Sequence, residues 1–148
     1  MSDFNDVGDF HRKMGLRTSS VSRVAMLPDL DDADVDDMLQ FRVDFMDEEL
    51  TEFKDGWAEQ DHAKMADALI DLVYVAMGTA HLLNYPWAAL WNEVQYANMQ
   101  KERADGAEDA RSTRKHMLDV VKPEGWQPPD VEGVLKYHRK IDDDSYAH

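Results

Sequence analysis

The chain contains no cysteine. This excludes a disulfide framework, thiolate zinc sites, iron–sulfur clusters and a cysteine nucleophile. Positive charge is scarce: 16 lysines and arginines face 31 aspartates and glutamates, a formal net charge of −15 over 148 residues. A surface for nucleic acid needs cations to meet the phosphates, so this balance argues against nucleic acid as a partner. It argues equally against attraction to an anionic membrane. It suits cation binding, a basic protein partner, or solubility through self-repulsion. Long apolar runs are missing too. The run Leu72–Ala80, bounded by Asp71 and His81, is about half of the roughly 18 residues that span a bilayer, so no membrane span is expected. The opening MSDFNDVGDF has neither the basic start nor the apolar segment of a secretory signal. The expected location is the cytoplasm.

What is present has helical spacing. Hydrophobic residues make up 43% of the chain, a normal share for a globular protein, and the length suits one domain, 1–148. Phe4, Val7, Phe10 and Met14 predict a short helix over 4–15. The polar RTSSVSRVAMLPDLDD after it reads as a loop or arm. A long helix is predicted over 33–59, with Asp31, Asp32 and Asp34 at its start. Its apolar stripe is Leu39, Val43, Met46, Leu50, Phe53 and Trp57, and Gly56 is expected to weaken or end it. A second helix over 61–84 is apolar nearly all round from Ala66 onward, the pattern of a helix buried in a bundle. Pro86 suits the first turn of a third helix over 87–104, with Trp87, Leu90, Trp91, Val94 and Ala97 facing the core. From Glu102 the chain reads as a polar loop, VVKPEGWQPPD as extended or turning, 131–141 as a short last helix and DDDSYAH as a tail. Strand-like alternation is weak, so no sheet is expected. The helices predict an all-α antiparallel bundle with its core at about 33–104 and a loop and tail at about 105–148.

The informative residues are acids in unusual places. In MDEELTEF, Glu48, Glu49 and Glu52 are neighbours on a helix and repel one another. Phe45, Met46 and Phe53 share their side, so some of these carboxylates point toward a partly apolar interior. On the next helix Asp67 and Asp71 lie four apart, and Asp71 is expected to be buried within LIDLVYVAMGTA. A buried carboxylate is costly unless it is paired with an Arg or Lys or bound to a metal. Facing helices can pool such acids around a cation. An all-oxygen ligand set favours Mg2+ or Mn2+. His81 is expected to be a hydrogen-bonded core or interface residue. Phe10, His11, Trp57, Tyr74, Trp91 and Trp126 are the aromatic candidates to meet a base, against the ordinary use of such residues in a core.

These motifs resemble the MazG-like all-α nucleoside triphosphate pyrophosphohydrolases, which include the dimeric dUTPases and phosphoribosyl-ATP pyrophosphohydrolase. Glu48, Glu49 and Glu52 match the Glu-Glu-x-x-Glu motif, and Asp71 with the following LVYVAMGTA matches the Glu-x-x-Asp helix. Asn98–Lys101 and KPEGWQPPD from Lys122 look like segments of the small phage and bacterial versions. The resemblance covers roughly residues 35–130. One position departs: the pattern puts Glu where this chain has Ala68, which leaves the adjacent Asp67 as the substitute acid.

The resemblance implies metal-dependent hydrolysis of a nucleoside triphosphate to the monophosphate and pyrophosphate. The resemblance leaves the substrate open among damaged nucleotides, dUTP and ordinary pool nucleotides, and the phage-like second helix and tail point to a purine deoxynucleotide such as dGTP or dATP. Metal would be held by Glu48, Glu49, Glu52, Asp71 and Asp67, with Glu48 or Glu49 accepting the proton of the attacking water. Asn98, Lys101, Arg114, Lys115, Lys122 and Trp126, together with Arg111, are the implied substrate contacts in the loop and tail. A homo-oligomer, dimer or tetramer, would complete the bundle. The competing reading is a non-catalytic acidic helical module that binds a basic partner protein.

Overall fold

A computed structural model describes the backbone of residues 2–16 and 32–145 and the side chains of 2–16 and 35–138. The loop expected over 17–31, the cap expected at Asp31 and the last three residues of the expected tail lie outside the described residues. Among the described residues the helices are α1 (Asp3–Lys13), α2 (Asp32–Glu59), α3 (His62–Leu82), α4 (Trp87–Met99) and α5 (Val131–Ser145). Two short strands, β1 (Glu102–Arg103) and β2 (Val120–Val121), lie between α4 and α5. The architecture is all-α, as predicted, and α5 continues to Ser145 through residues expected to be tail. The chain forms two compact units, 1–85 with 139–148, and 86–138.

In the first unit α2 and α3 form an antiparallel hairpin across a two-residue turn. Gln60 adopts φ 58°, and the Asp61 carboxylate accepts the Ala63 and Lys64 amides at 3.0 Å. That caps the α3 start, where backbone N–H groups have no partner in the helix. The face of α2 turned to α3 is Arg42, Glu49 and Gly56, buried at steps of seven. Of the predicted stripe, Leu39, Met46 and Phe53 are half-buried, while the other three lie one position round from the seam. Val43, Leu50 and Trp57 are 49%, 39% and 68% exposed.

Gly56 explains the shift. A Cβ there would sit 3.0 Å from the Met65 amide nitrogen and 3.3 Å from the Asp61 carbonyl. The glycine therefore does not end α2; it lets the two backbones meet. On the facing helix Ala68, Val75 and Gly78 are buried, whereas Leu69, Ile70 and Val73 are 48%, 66% and 49% exposed. The expectation that α3 is covered all round is therefore corrected: one apolar face is open. By length and composition alone α3 is long and apolar enough to cross a membrane, a test that the core helix of a soluble protein passes too. Here α1 and α2 pack along it.

Helix α1 docks on α3 through Val7, Gly8 and His11, all buried. The Phe4 ring stacks on His81 with centroids 3.8 Å apart, and His81 donates from Nε2 to the Phe4 carbonyl at 2.8 Å. Burial lowers the His81 pKa, so the ring is held neutral. His81 is thus the hydrogen-bonded buried histidine that was expected.

In the second unit the core face expected for α4 is corrected: Ala97 is buried, but Trp91 is 59% and Val94 39% exposed. β1 and β2 pair antiparallel, Glu102 with Val121 and Arg103 with Val120. Two residues per strand are too few to show alternation, so the pattern gave no sign of them. The loop they close is held by carboxylates. Asp119 accepts Ser112 Oγ and Arg114 Nη1 at 2.7 Å each, and Asp109 takes the Arg111 guanidinium. These bonds hold both carboxyls well below the usual range.

Gly56→Ala tests the close crossing. Alanine gains about 1 kcal/mol in helix propensity, but crowding a packed seam costs about 1–3 kcal/mol. The expected result is a lower urea midpoint with an unchanged slope. A higher midpoint would show that the backbones need no glycine there.

Candidate active site

Helices α2 and α3 bring Glu48, Glu49, Glu52, Asp67 and Asp71 to one region of the first unit. Glu49 is its centre. It is 7% exposed, and its Oε2 is buried with no hydrogen-bond partner among the described residues. Burial raises its pKa, and repulsion from Asp71, Glu52, Glu48 and Asp67, in that order, raises it further. The other four acids are exposed. Asp71 was expected inside an apolar helix; that is corrected, because it lies on a side of α3 that nothing covers in the described chain. None of the five makes an ion pair or hydrogen bond among the described residues, so Asp71 has no basic partner either. Ala68 is 1% exposed in the helix seam, and a Glu would not fit there without displacing α2. Asp67 lines a different, open hollow of about 600 Å³ with Ala63, Lys64, Ala66 and Ile70.

Glu49 and Asp71 share a pocket of about 320 Å³ with Phe10, Arg42, Phe45, Tyr74 and Val75. Phe10 meets Tyr74 edge to face, centroids 5.7 Å apart at 79°. Of the aromatic candidates, Phe10 and Tyr74 reach this pocket. His11 instead lies beside His81, 5.5 Å between ring centroids. Trp57 is mostly exposed. Arg42 was not singled out from the sequence. It is 8% exposed, donates from Nε to Thr79 Oγ1 at 3.0 Å and from Nη2 to the Val75 carbonyl at 2.7 Å, and lies 5.5 Å from the Phe45 ring centroid. Gly78 makes room for it: a Cβ there would be 3.0 Å from Nη2. The available signal was the seven-residue spacing of Arg42, Glu49 and Gly56, which puts two charges in line with a buried glycine.

The loop and tail candidates belong to the second unit and separate into two groups. Asn98, Lys101, Lys122 and Trp126 converge. Trp126 donates its indole N–H to the Ala97 carbonyl at 2.8 Å, which fixes the ring. Lys122 Nζ and Lys101 Nζ stand 4.5 and 5.5 Å from the ring centroid, and Lys101 also donates to Asn98 Oδ1 at 2.8 Å. The strand register explains the meeting, since Lys101 and Lys122 flank the Glu102–Val121 pair. The second group serves the loop itself. Arg114 pairs with Asp119, Lys115 donates to the Asp109 carbonyl at 3.0 Å, and Arg111 contacts Glu102, Asp105 and Asp109.

Among the described residues no three His, Asp or Glu side chains already stand together as a metal site. The donor chemistry nevertheless fits a hard divalent cation. Glu49 offers a buried oxygen with no partner, four other acids act on its charge, and every candidate donor is oxygen. Without a cation the ionised Glu49 works against the fold. Its folded pKa lies above the unfolded value, so its contribution is most favourable below the unfolded pKa and is lost as pH rises through the folded one. In EDTA, Glu49→Gln is therefore expected to melt at a higher temperature than the parent at pH 8. The gap should close as pH falls toward 4.5. An equal gap at both ends would show that Glu49 is not strained in the fold.

Comparison with known proteins bears on this arrangement. The family model described as phosphoribosyl-ATP pyrophosphohydrolase matches residues 7–98, a range running from α1 through α4. It includes all five carboxylates and the whole lining of the 320 Å³ pocket. No curated protein matches the chain. With well over half its length matched, the chain belongs to the phosphoribosyl-ATP pyrophosphohydrolase family, all-helical hydrolases that act on the pyrophosphate bonds of nucleotides.

Proposed function

We propose that this protein hydrolyses a nucleoside triphosphate to its monophosphate and pyrophosphate, with a bound Mg2+ or Mn2+. The observation that carries the reading is a buried, partnerless Glu49 that shares an aromatic-lined pocket with Asp71. Glu48, Glu49, Glu52, Asp71 and Asp67 are the proposed holders of the cation. Once bound, it would neutralise the phosphates and make water a better nucleophile.

The chain's own residues then have distinct tasks. Burial and the neighbouring acids raise the Glu49 pKa, which makes its carboxylate a stronger base and suits it to accept a proton from water; Glu48 is the neighbouring alternative. Phe10, Phe45 and Tyr74 offer the nucleoside an apolar surface and keep water out. Taken by itself, the second unit gathers Lys101, Lys122 and Asn98 around Trp126, two ammonium groups and an amide that suit anionic oxygens. Arg111 and Arg114 would have to leave carboxylate partners to do the same, which favours the lysines. A purine deoxynucleotide, dGTP or dATP, is the proposed substrate, on the strength of the phage-like second helix and tail. The open face of Leu69, Ile70 and Val73, with Val43, Leu50 and Trp57 on α2, supports a homo-oligomer.

The test is a chromatographic assay against all common NTPs and dNTPs with Mg2+, Mn2+ or EDTA. Metal-dependent monophosphate and pyrophosphate are expected, and diphosphate plus phosphate would contradict the bond assignment. Glu49→Gln is expected to lower kcat by about 10²–10⁴-fold, the range for removing a general base. Asp71→Asn should weaken the metal dependence, seen as a higher Mg2+ requirement. Full activity of both variants would take Glu49 and Asp71 out of the site, whereas no product from any of the nucleotides would return weight to a non-catalytic acidic module.

A further inference from the structure

Arg42 is the one cation lining the 320 Å³ pocket, among the described residues. Its Nε and Nη2 are pinned to Thr79 and Val75, so the plane of the guanidinium is fixed. Nη1 has no hydrogen-bond partner among the described residues. Arg42 and Glu49 line the same pocket without forming an ion pair. A guanidinium can only donate, and Nη1 is not one of the buried atoms left without a partner, so it is open to an acceptor that a ligand brings. The rest of the wall narrows what that ligand atom can be. Phe10, Phe45, Tyr74 and Val75 favour an aromatic, uncharged group, while Glu49 and Asp71 repel a bare phosphate.

We propose that Arg42 selects the base, by donating from Nη1 to a ring carbonyl where adenine and cytosine carry an amino group. Keto bases gain a charge-assisted hydrogen bond; amino bases bring donor against donor. The inference rests on the pocket being the nucleotide site and goes further by naming its base class: guanine among the purines.

The unmodified protein tests it with the deoxynucleoside triphosphates of guanine, hypoxanthine, adenine and 2-aminopurine, comparing kcat/KM. Hypoxanthine keeps the carbonyl and lacks the 2-amino group; 2-aminopurine does the reverse. Guanine and hypoxanthine are expected to stay close together, with adenine and 2-aminopurine lower by about 10- to 100-fold, the worth of one hydrogen bond to a charged group. Equal rates for guanine and 2-aminopurine, or a preference for adenine, would overturn the assignment. In Arg42→Met, checked for folding by circular dichroism, the ratio should move toward one through loss of the keto substrates. A uniform loss over all four bases in the folded variant would give Arg42 to the phosphates instead. If Arg42→Met does not fold, the four-base series decides alone. Turnover of none of the four would remove the hydrolase reading itself, an outcome distinct from turnover without base preference.

Discussion

The seam between α2 and α3 is made of residues that seldom make one. Two charged side chains, Arg42 and Glu49, and one glycine take the positions where an apolar stripe would ordinarily sit. The glycine brings the backbones together, and small residues opposite, Ala68 and Gly78, leave room for the charged groups. Arg42 gives two of its donors, Nε and Nη2, to a hydroxyl and a carbonyl of α3. Glu49 is not satisfied by anything in the described chain. A fold that buries a carboxylate in this state gives up stability at neutral pH, a pattern typical of functional sites and not of cores.

Helix positions were largely legible in the sequence, because caps, breakers and the 3.6-residue period are local signals. α2 and α3 fall within a residue or two of where the spacing puts them. Which face of α2 points inward was not legible. Period alone favoured Val43, Leu50 and Trp57, and only the close approach at Gly56 turns the helix by one position. The gathering of the acids was readable from their order on consecutive helices. Their burial was not: Asp71 sits among apolar residues in sequence yet is exposed, while Glu49, one of three similar glutamates, is the buried member. Arg42 escaped notice for the same reason, since its role depends on what faces it across the seam.

The second unit shows how scarce positive charge is used in an acidic chain. Arg111 and Arg114 bind nearby carboxylates and hold a loop in shape. Lys101 and Lys122 are instead drawn to an indole ring, a neutral partner that leaves an ammonium able to meet an anion. A composition count treats these four residues alike; the two-residue ladder is what separates their tasks.

Helix α1 supplies Phe10 to the pocket but is tied to the first unit mainly through α3, by the Phe4–His81 stack and the glycine contacts. The α2–α3 hairpin does not depend on that attachment for its own turn or seam. One wall of the pocket therefore belongs to an element that meets α3 over a smaller area than α2 does, and less firmly held elements open first in native fluctuations. Lifting α1 would uncover Tyr74 and Val75 while leaving Arg42 and the acids in place. Entry to the pocket and the placement of its charged groups are in this way set by different parts of the chain.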